Sequence, residues 1–290
     1  MVFEWGLFAI LGATLFWGIG DFLMQRSVRK IGSLEGLALL GVIESIILLP
    51  LALPQLFLLF LPENMQLLCF LGVTTFITAF ILFQALRKGK LAVVEVLCEF
   101  ELPLTIILGT FLLSDFLSFN QLLFMVPIFV GIILIAFEPR TKLKHLFKLE
   151  HGALLALIAA FGMAFVNSFV ALSSRVVSPV MAIWFPHVII ALLALVFLFI
   201  KKRIHKTELD FAKFHWLIIV TSLFEAVAWL LFAFSTSIAN VGVVTAITES
   251  YPAIGIILGV MVNKEKISRR QAFGAFLAII SGIALGATLI

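Results

Sequence analysis

The chain is poor in charge. Only 12% of its 290 residues are Asp, Glu, Lys or Arg, about half the share of an ordinary soluble protein. It has two cysteines, Cys69 and Cys98, both in apolar runs, which excludes a disulfide framework and a cysteine-built metal site. Aspartate occurs only at positions 21, 115 and 210, and tyrosine only at 251. The chain contains no H-E-x-x-H, no G-x-S-x-G and no Walker A run. Zinc-protease, serine-hydrolase and nucleotide-driven chemistries therefore lack their residues, and no cofactor or metal is expected. The net charge of +4 is spread along the chain, so no basic patch for nucleic acid is expected.

What is abundant is apolar surface. Hydrophobic residues make up 63% of the chain and phenylalanine alone occurs 31 times. No single water-soluble core hides that much, so the solvent for most of the chain is a lipid bilayer. The first residues have no basic n-region and no small-residue cleavage site, and are expected to form a spanning helix. Runs of about 20 mainly apolar residues, the length a spanning helix needs, occur at 5–24, 34–54, 65–86, 91–113, 119–137, 152–173, 179–200, 215–235, 241–262 and 271–289. The fold class expected is an all-α membrane protein of ten transmembrane helices.

The basic residues support that count. Nineteen of the 20 lie in the loops after the first, third, fifth, seventh and ninth runs, and only Arg175 falls on the other side. Such alternation requires a membrane, and by the positive-inside rule it places both termini outside the cell.

An offset of 150 residues overlays Glu99 on Glu249, Ser118 on Ser268 and Gln121 on Gln271, with Asp115 on Glu265 and several apolar identities between them. At an offset of 146, Asp21 in the first run falls on Asn167 in the sixth. The chain is expected to be duplicated: residues 1–137 as the first five-helix repeat, 138–151 as a basic loop, and 152–290 as the second. Five helices per repeat force the two halves to enter the bilayer from opposite sides. Such inverted repeats commonly hold a small-molecule site near the midplane, where they meet.

Three stretches carry a family resemblance: "FWGIGDF" in the first run, "LGTFLLSDFLSFNQ" across the fourth and fifth, and "YPAIGIILGVMVNKEKISRRQAFGAFLAIISGIALG" across the last two. They resemble the EamA-like members of the drug/metabolite transporter superfamily. There a proline-bearing ninth helix leads to a G-E-x-[LI]-[ST] turn, a Gln and a glycine-bearing last helix. Glu265, Ile267, Ser268, Gln271 and Gly274 fit that pattern, while Lys264 stands at its glycine and Asp115 takes the acidic place in the first half. The resemblance implies an integral protein of a bacterial or archaeal cell membrane that carries a small organic solute. One chain holds both repeats, so a monomer suffices and a dimer is compatible with it.

Acidic residues lie inside the apolar runs: Asp21, Glu44, Glu95, Glu99, Glu101, Glu225 and Glu249. No Lys or Arg lies deep in any run, so ordinary ion pairs do not account for them. Either they carry protons, or they neutralise a cation that comes and goes. Glu99 and Glu249 are the sharpest pair, each a few residues before a proline, Pro103 and Pro252. A proline removes an N–H and loosens the helix, which suits a gate beside a polar cavity. The alternative is a protonated carboxyl that ties helices together. Glu95 shares a helical face with Glu99. Glu101 points away from it in a continuous helix and is not counted in the site. Trp17 lies one turn before Asp21 and Trp229 one turn after Glu225, and an aromatic ring beside a carboxylate can seat an organic ammonium group. Tyr251, His187 and Asn167 complete the candidate substrate and proton site, each with a packing role as its alternative.

"GIGD" also matches the G-x-G-D of intramembrane aspartyl proteases, but that chemistry needs a second facing aspartate, and Asp115 and Asp210 lie in loops. The function expected is proton-coupled secondary transport of an amine, organic cation or amino acid by alternating access. Exchange or export of a neutral, sugar-like metabolite, with structural carboxyls, is the alternative.

Overall fold

The computed structural model describes residues 2–88, 94, 97–98, 100–136, 151–251, 253–254 and 268–288. Among the described residues the chain forms ten α-helices: α1 (Val2–Ile31), α2 (Ser33–Ala52), α3 (Pro62–Lys88), α4 (Glu101–Leu113), α5 (Phe119–Ala136), α6 (His151–Val176), α7 (Pro179–Ile200), α8 (Ile204–Ile238), α9 (Val241–Thr248) and α10 (Arg269–Ala287). Six of these stretches are long and apolar enough to cross a membrane, namely α1, α2 with the 3-10 segment that follows it, α3, α6, α7 and α8. α4, α5 and α10 are apolar but shorter.

The helix boundaries depart from the sequence expectation in two instructive places. α8 begins at Ile204, not 215, because the polar stretch 204–213 is itself helical and meets the apolar part at a kink at Phe214 (φ −120°). The fourth run is interrupted: Phe100 lies in a turn and α4 starts at Glu101. Pro103 therefore falls in a first turn, where a missing N–H leaves no hydrogen bond unmade. It is solvent- or lipid-exposed there, not the loosened mid-helix gate expected.

The packing follows one rule. α1 packs on α8 as α6 packs on α3, α4 on α6 as α9 on α1, and α3 on α7 as α8 on α2. α2 packs on α7, α4 on α9 and α5 on α10. Exchanging each of the first five helices with the one five places later leaves this pattern unchanged, as a two-fold relation between repeats requires. The core runs through Ile10, Ala13, Trp17, Leu71, Ile128, Phe232 and Val243. Phe8, Phe60, Phe111, Phe119, Trp216 and Phe276 are exposed on the outside, an apolar surface suited to acyl chains rather than water.

Polar contacts secure both ends of the bundle. At the basic end, buried Glu35 pairs with Arg203 and Lys206, and Lys206 also donates to the Ile31 carbonyl at 3.0 Å. At the other end Arg175 donates to both Asp115 oxygens at 2.8 Å and to the carbonyls of Thr236 and Ala239. Asp115 accepts in turn from the Val241 N–H at 2.7 Å, at the start of α9. The single basic residue outside the alternation thus joins the ends of α4, α6, α8 and α9.

α5 and α10 touch backbone to backbone. A Cβ on Gly131 would lie 2.7 Å from the Gly274 carbonyl oxygen and 2.9 Å from the Ala278 nitrogen. Gly131→Val should therefore force the helices apart and destabilise the protein by about 1–3 kcal/mol, read as a lower thermal midpoint in detergent. Gly282→Ala, where the nearest atom would be 3.8 Å away, should not lower it. Equal midpoints for the two variants would contradict this packing.

Candidate functional site

Two interruptions build the centre of the bundle. The first, at Phe100, separates α4 from the helical turn before it. The second follows α9: Ser250, Tyr251, Ala253 and Ile254 each donate to a carbonyl three residues back, so the chain turns more tightly than an α-helix. At the offset of 150 the two breaks are equivalent. Each resets the phase of the residues beyond it, and helical-wheel reasoning across them fails.

Glu101, the first residue of α4, consequently points into the bundle and is buried. Its Oε1 accepts from Asn167 Nδ2 on α6 at 3.0 Å. Its carboxyl also hydrogen-bonds with that of Glu249, at the end of α9. Two carboxyls in such contact must share a proton. Across the pseudo-two-fold, the Tyr251 hydroxyl hydrogen-bonds to Asp21 on α1. Tyr251 is the equivalent of Glu101, and Asp21 that of Asn167. The α4–α6 and α9–α1 contacts are therefore two copies of one interaction, built from different side chains.

Asp21 in turn faces Glu225 on α8. "GIGD" makes this approach possible: a Cβ on Gly20 would lie 2.6 Å from Glu225 Oε1, and one on Gly18 would lie 3.2 Å from the Tyr251 carbonyl oxygen. Glu225 is buried, with the Trp17 indole within hydrogen-bonding range of its carboxyl and no partner for Oε1 among the described residues. Trp17 meets Trp229 edge-on, ring centroids 5.0 Å apart, and Phe232 closes the group at 5.3 Å from Trp17. The indole that hydrogen-bonds to Glu225 thus comes from α1 across the interface, and Trp229, one turn along α8, packs against it. Glu225 also feels Glu44 of α2, and Glu44 contacts the His187 ring of α7 at 2.5 Å.

The result is one connected cluster in the interior: Glu249, Glu101, Asp21, Glu225, Glu44 and His187. Among the described residues, no Lys or Arg pairs with Glu101, Asp21, Glu225 or Glu44. On the same helices, Thr105 Oγ1, Thr245 Oγ1 and Gln25 Nε2 are buried without a hydrogen-bond partner among the described residues. Buried polar atoms of this kind are costly, and several together mark a polar site within an apolar bundle.

Asp21, Trp17, Asn167, His187, Glu225, Trp229, Glu249 and Tyr251 all belong to this region. Glu95, Glu99 and Pro252 lie outside the described residues. Pro103 is on the outer surface of α4. Glu101 is the residue that sequence reasoning missed. Its only signal was its place opposite Tyr251 in the repeat, which a continuous helix conceals.

The model of the EamA-like transporter family matches residues 4–137 and 151–286. A solved structure, described only as "Crystal structure of protein", superposes with a TM-score of 0.77 at 16% identity, over 98% of this chain and 96% of that one. That likeness is one of fold. No curated protein matches the chain.

Asn167→Leu should leave Glu101 Oε1 without its donor, and Tyr251→Phe should do the same to Asp21. Each is expected to cost about 1 kcal/mol, the scale of an interhelical hydrogen bond in a membrane protein. Thermal unfolding in detergent should show similar losses for the two, as copies of one contact. A loss for only one of them would contradict the equivalence.

Proposed function

Because the chain belongs to the EamA-like transporter family, and is a membrane transporter of the drug/metabolite type, we propose that it carries a small organic cation, amine or amino acid by alternating access, coupled to protons. The observation that carries this reading is the set of buried carboxyls Glu44, Glu101 and Glu225, which have no Lys or Arg counterion among the described residues. Several ionised carboxylates at close range in an apolar interior repel one another and lose hydration. They must bind protons or a cation. A solute that brings positive charge displaces protons from this cluster, which makes the two compete.

Trp17, Trp229 and Phe232 beside Glu225 provide the apolar and cation–π surface that an organic ammonium group uses. A phosphorylated or dianionic solute would need Lys or Arg in the cluster. Alternation follows from the two repeats: the α1–α9 and α4–α6 contacts are equivalent, so strain in one can be exchanged for strain in the other. All ten helices crossing the bilayer, the two five-helix units at 1–137 and 152–290, and both termini outside belong to the same proposal. A second reading has its own support. The Asn167–Glu101 and Tyr251–Asp21 hydrogen bonds are complete within the protein, as structural carboxyls require. A neutral, sugar-like solute would then be carried.

A thermal-shift screen of purified protein against amines, amino acids, sugars and sugar phosphates at two pH values separates these readings. Cationic or zwitterionic ligands should give the largest shift, about 2.7 kcal/mol at a hundredfold excess over Kd. Glu225→Gln and Glu249→Gln should abolish it. A shift with sugars alone that survives both substitutions would establish the second reading, and one with dianions alone would overturn both. For orientation, a cysteine placed at Lys202 should react with a membrane-impermeant reagent only after the cells are opened. Reaction in intact cells would reverse the topology.

A further inference from the structure

The contact between α2 and α7 holds something the solute reading does not require. His187 Nδ1 lies 2.7 Å from the Ile183 carbonyl oxygen. A carbonyl only accepts, so Nδ1 carries its hydrogen and donates it there. His187 Nε2 lies 2.5 Å from Glu44 Oε2, a buried oxygen for which this ring nitrogen is the close contact and which has no hydrogen-bond partner among the described residues. With Nδ1 protonated, an unprotonated Nε2 would set its lone pair against those of the carboxylate. The contact therefore contains one more proton, whether drawn as imidazolium with carboxylate or as imidazole with carboxylic acid.

We propose that Glu44 and His187 form a proton site on the seam between the two repeats, separate from the carboxyls that hold the solute, and that this site carries the coupling proton. The proposal rests on the proton-coupled reading above and assigns it a place. α2 and α7 are the second helices of their repeats and pack on each other across the pseudo-two-fold. The seam is tight around the pair. A Cβ on Gly41, one turn before Glu44, would lie 2.8 Å from the Ala191 nitrogen and 3.2 Å from the His187 carbonyl oxygen. One turn before His187, the Trp184 indole donates to the Ser45 carbonyl at 3.0 Å. With its proton the pair has no net charge and binds the helices together. When the proton leaves for water, a neutral imidazole and a buried carboxylate remain, facing each other with lone pairs. They must separate or admit water, and either moves one repeat against the other.

The charged neighbours set the sign of the coupling. From α8, Glu225 faces Glu44 and is itself faced by Asp21 of α1. α3 carries no acid or base between Glu63 and Arg87, only the thiol of Cys69, and α6 carries none between His151 and Arg175. The nearest titrating groups are thus the acids of the solute site. A cation held at Glu225 and Asp21 favours the negative, deprotonated pair, and the deprotonated pair favours the cation, as linkage requires. The coupling is therefore an exchange of cation for proton.

Two measurements test this. The first needs no ligand: nitrogen NMR of protein carrying ¹⁵N-labelled histidine, with the His187 signal assigned by its loss in His187→Gln. The expected signal has a proton at Nδ1 and one shared at Nε2, and both its position and its titration change in Glu44→Gln. A His187 that titrates identically in wild type and Glu44→Gln overturns the proposal. The second uses liposomes loaded with a pH-sensitive dye and a gradient of benzyltrimethylammonium, which cannot itself carry a proton. Wild type should move protons against the cation, and the ratio of protons to cations should fall at least tenfold in Glu44→Gln and His187→Gln. An unchanged ratio in either variant overturns the proton site. If wild type moves no cation, the solute reading fails, and the first measurement alone decides the proton site.

Discussion

A carboxyl group inside an apolar helix bundle has few stable states. It can hold a proton, accept from a donor fixed by a neighbouring helix, or face a cation. Much of this protein is arranged around that constraint. Asn167 answers Glu101, Tyr251 answers Asp21, and His187 answers Glu44. Glu225, beside the Trp17–Trp229–Phe232 group, has one oxygen that none of these donors reaches. A transport site needs both kinds of group: some satisfied by the protein, to hold the helices in place, and at least one left for what is carried.

The two repeats distribute these roles unequally. Symmetry supplies equivalent backbone breaks and equivalent helix pairs, while the side chains at equivalent positions differ. Glu101 accepts where Tyr251 donates, and Asn167 donates where Asp21 accepts. Each half therefore forms the same contact with opposite polarity. The ends of the bundle differ as well. Glu35 draws in Arg203 and Lys206 at the basic end, and Arg175 binds Asp115 and two carbonyls at the other. At both ends the basic partner is the more exposed of the pair, while Glu35 itself is buried.

The sequence was most legible where physics imposes a period or a sign. Lipid requires long apolar runs, and eight of the ten recur as helices close to the expected ranges, while the fourth and ninth are described only in part. The two-repeat organisation was visible in Glu249, Ser268 and Gln271 and reappears in the packing. The polar stretch 204–213 was misread as loop because hydropathy registers a change of solvent, and a helix continuing out of the apolar region does not change its backbone. Glu101 was misplaced because the break at Phe100 is not written in any local composition. Pro103 suggested a kink, yet it lies in the first turn of α4, three residues after the break at Phe100. The Glu44–His187 contact joins residues far apart in the chain. A single sequence can offer the two groups but cannot pair them.

The central claim is that binding a cationic solute in the cluster of buried acids drives protons out of that cluster. Calorimetric titration of the purified protein with benzyltrimethylammonium, in two buffers of different ionisation enthalpy, counts the protons released per cation bound. The account predicts a net release approaching one proton, with affinity falling as the pH is lowered. Binding with no proton release at any pH would contradict it.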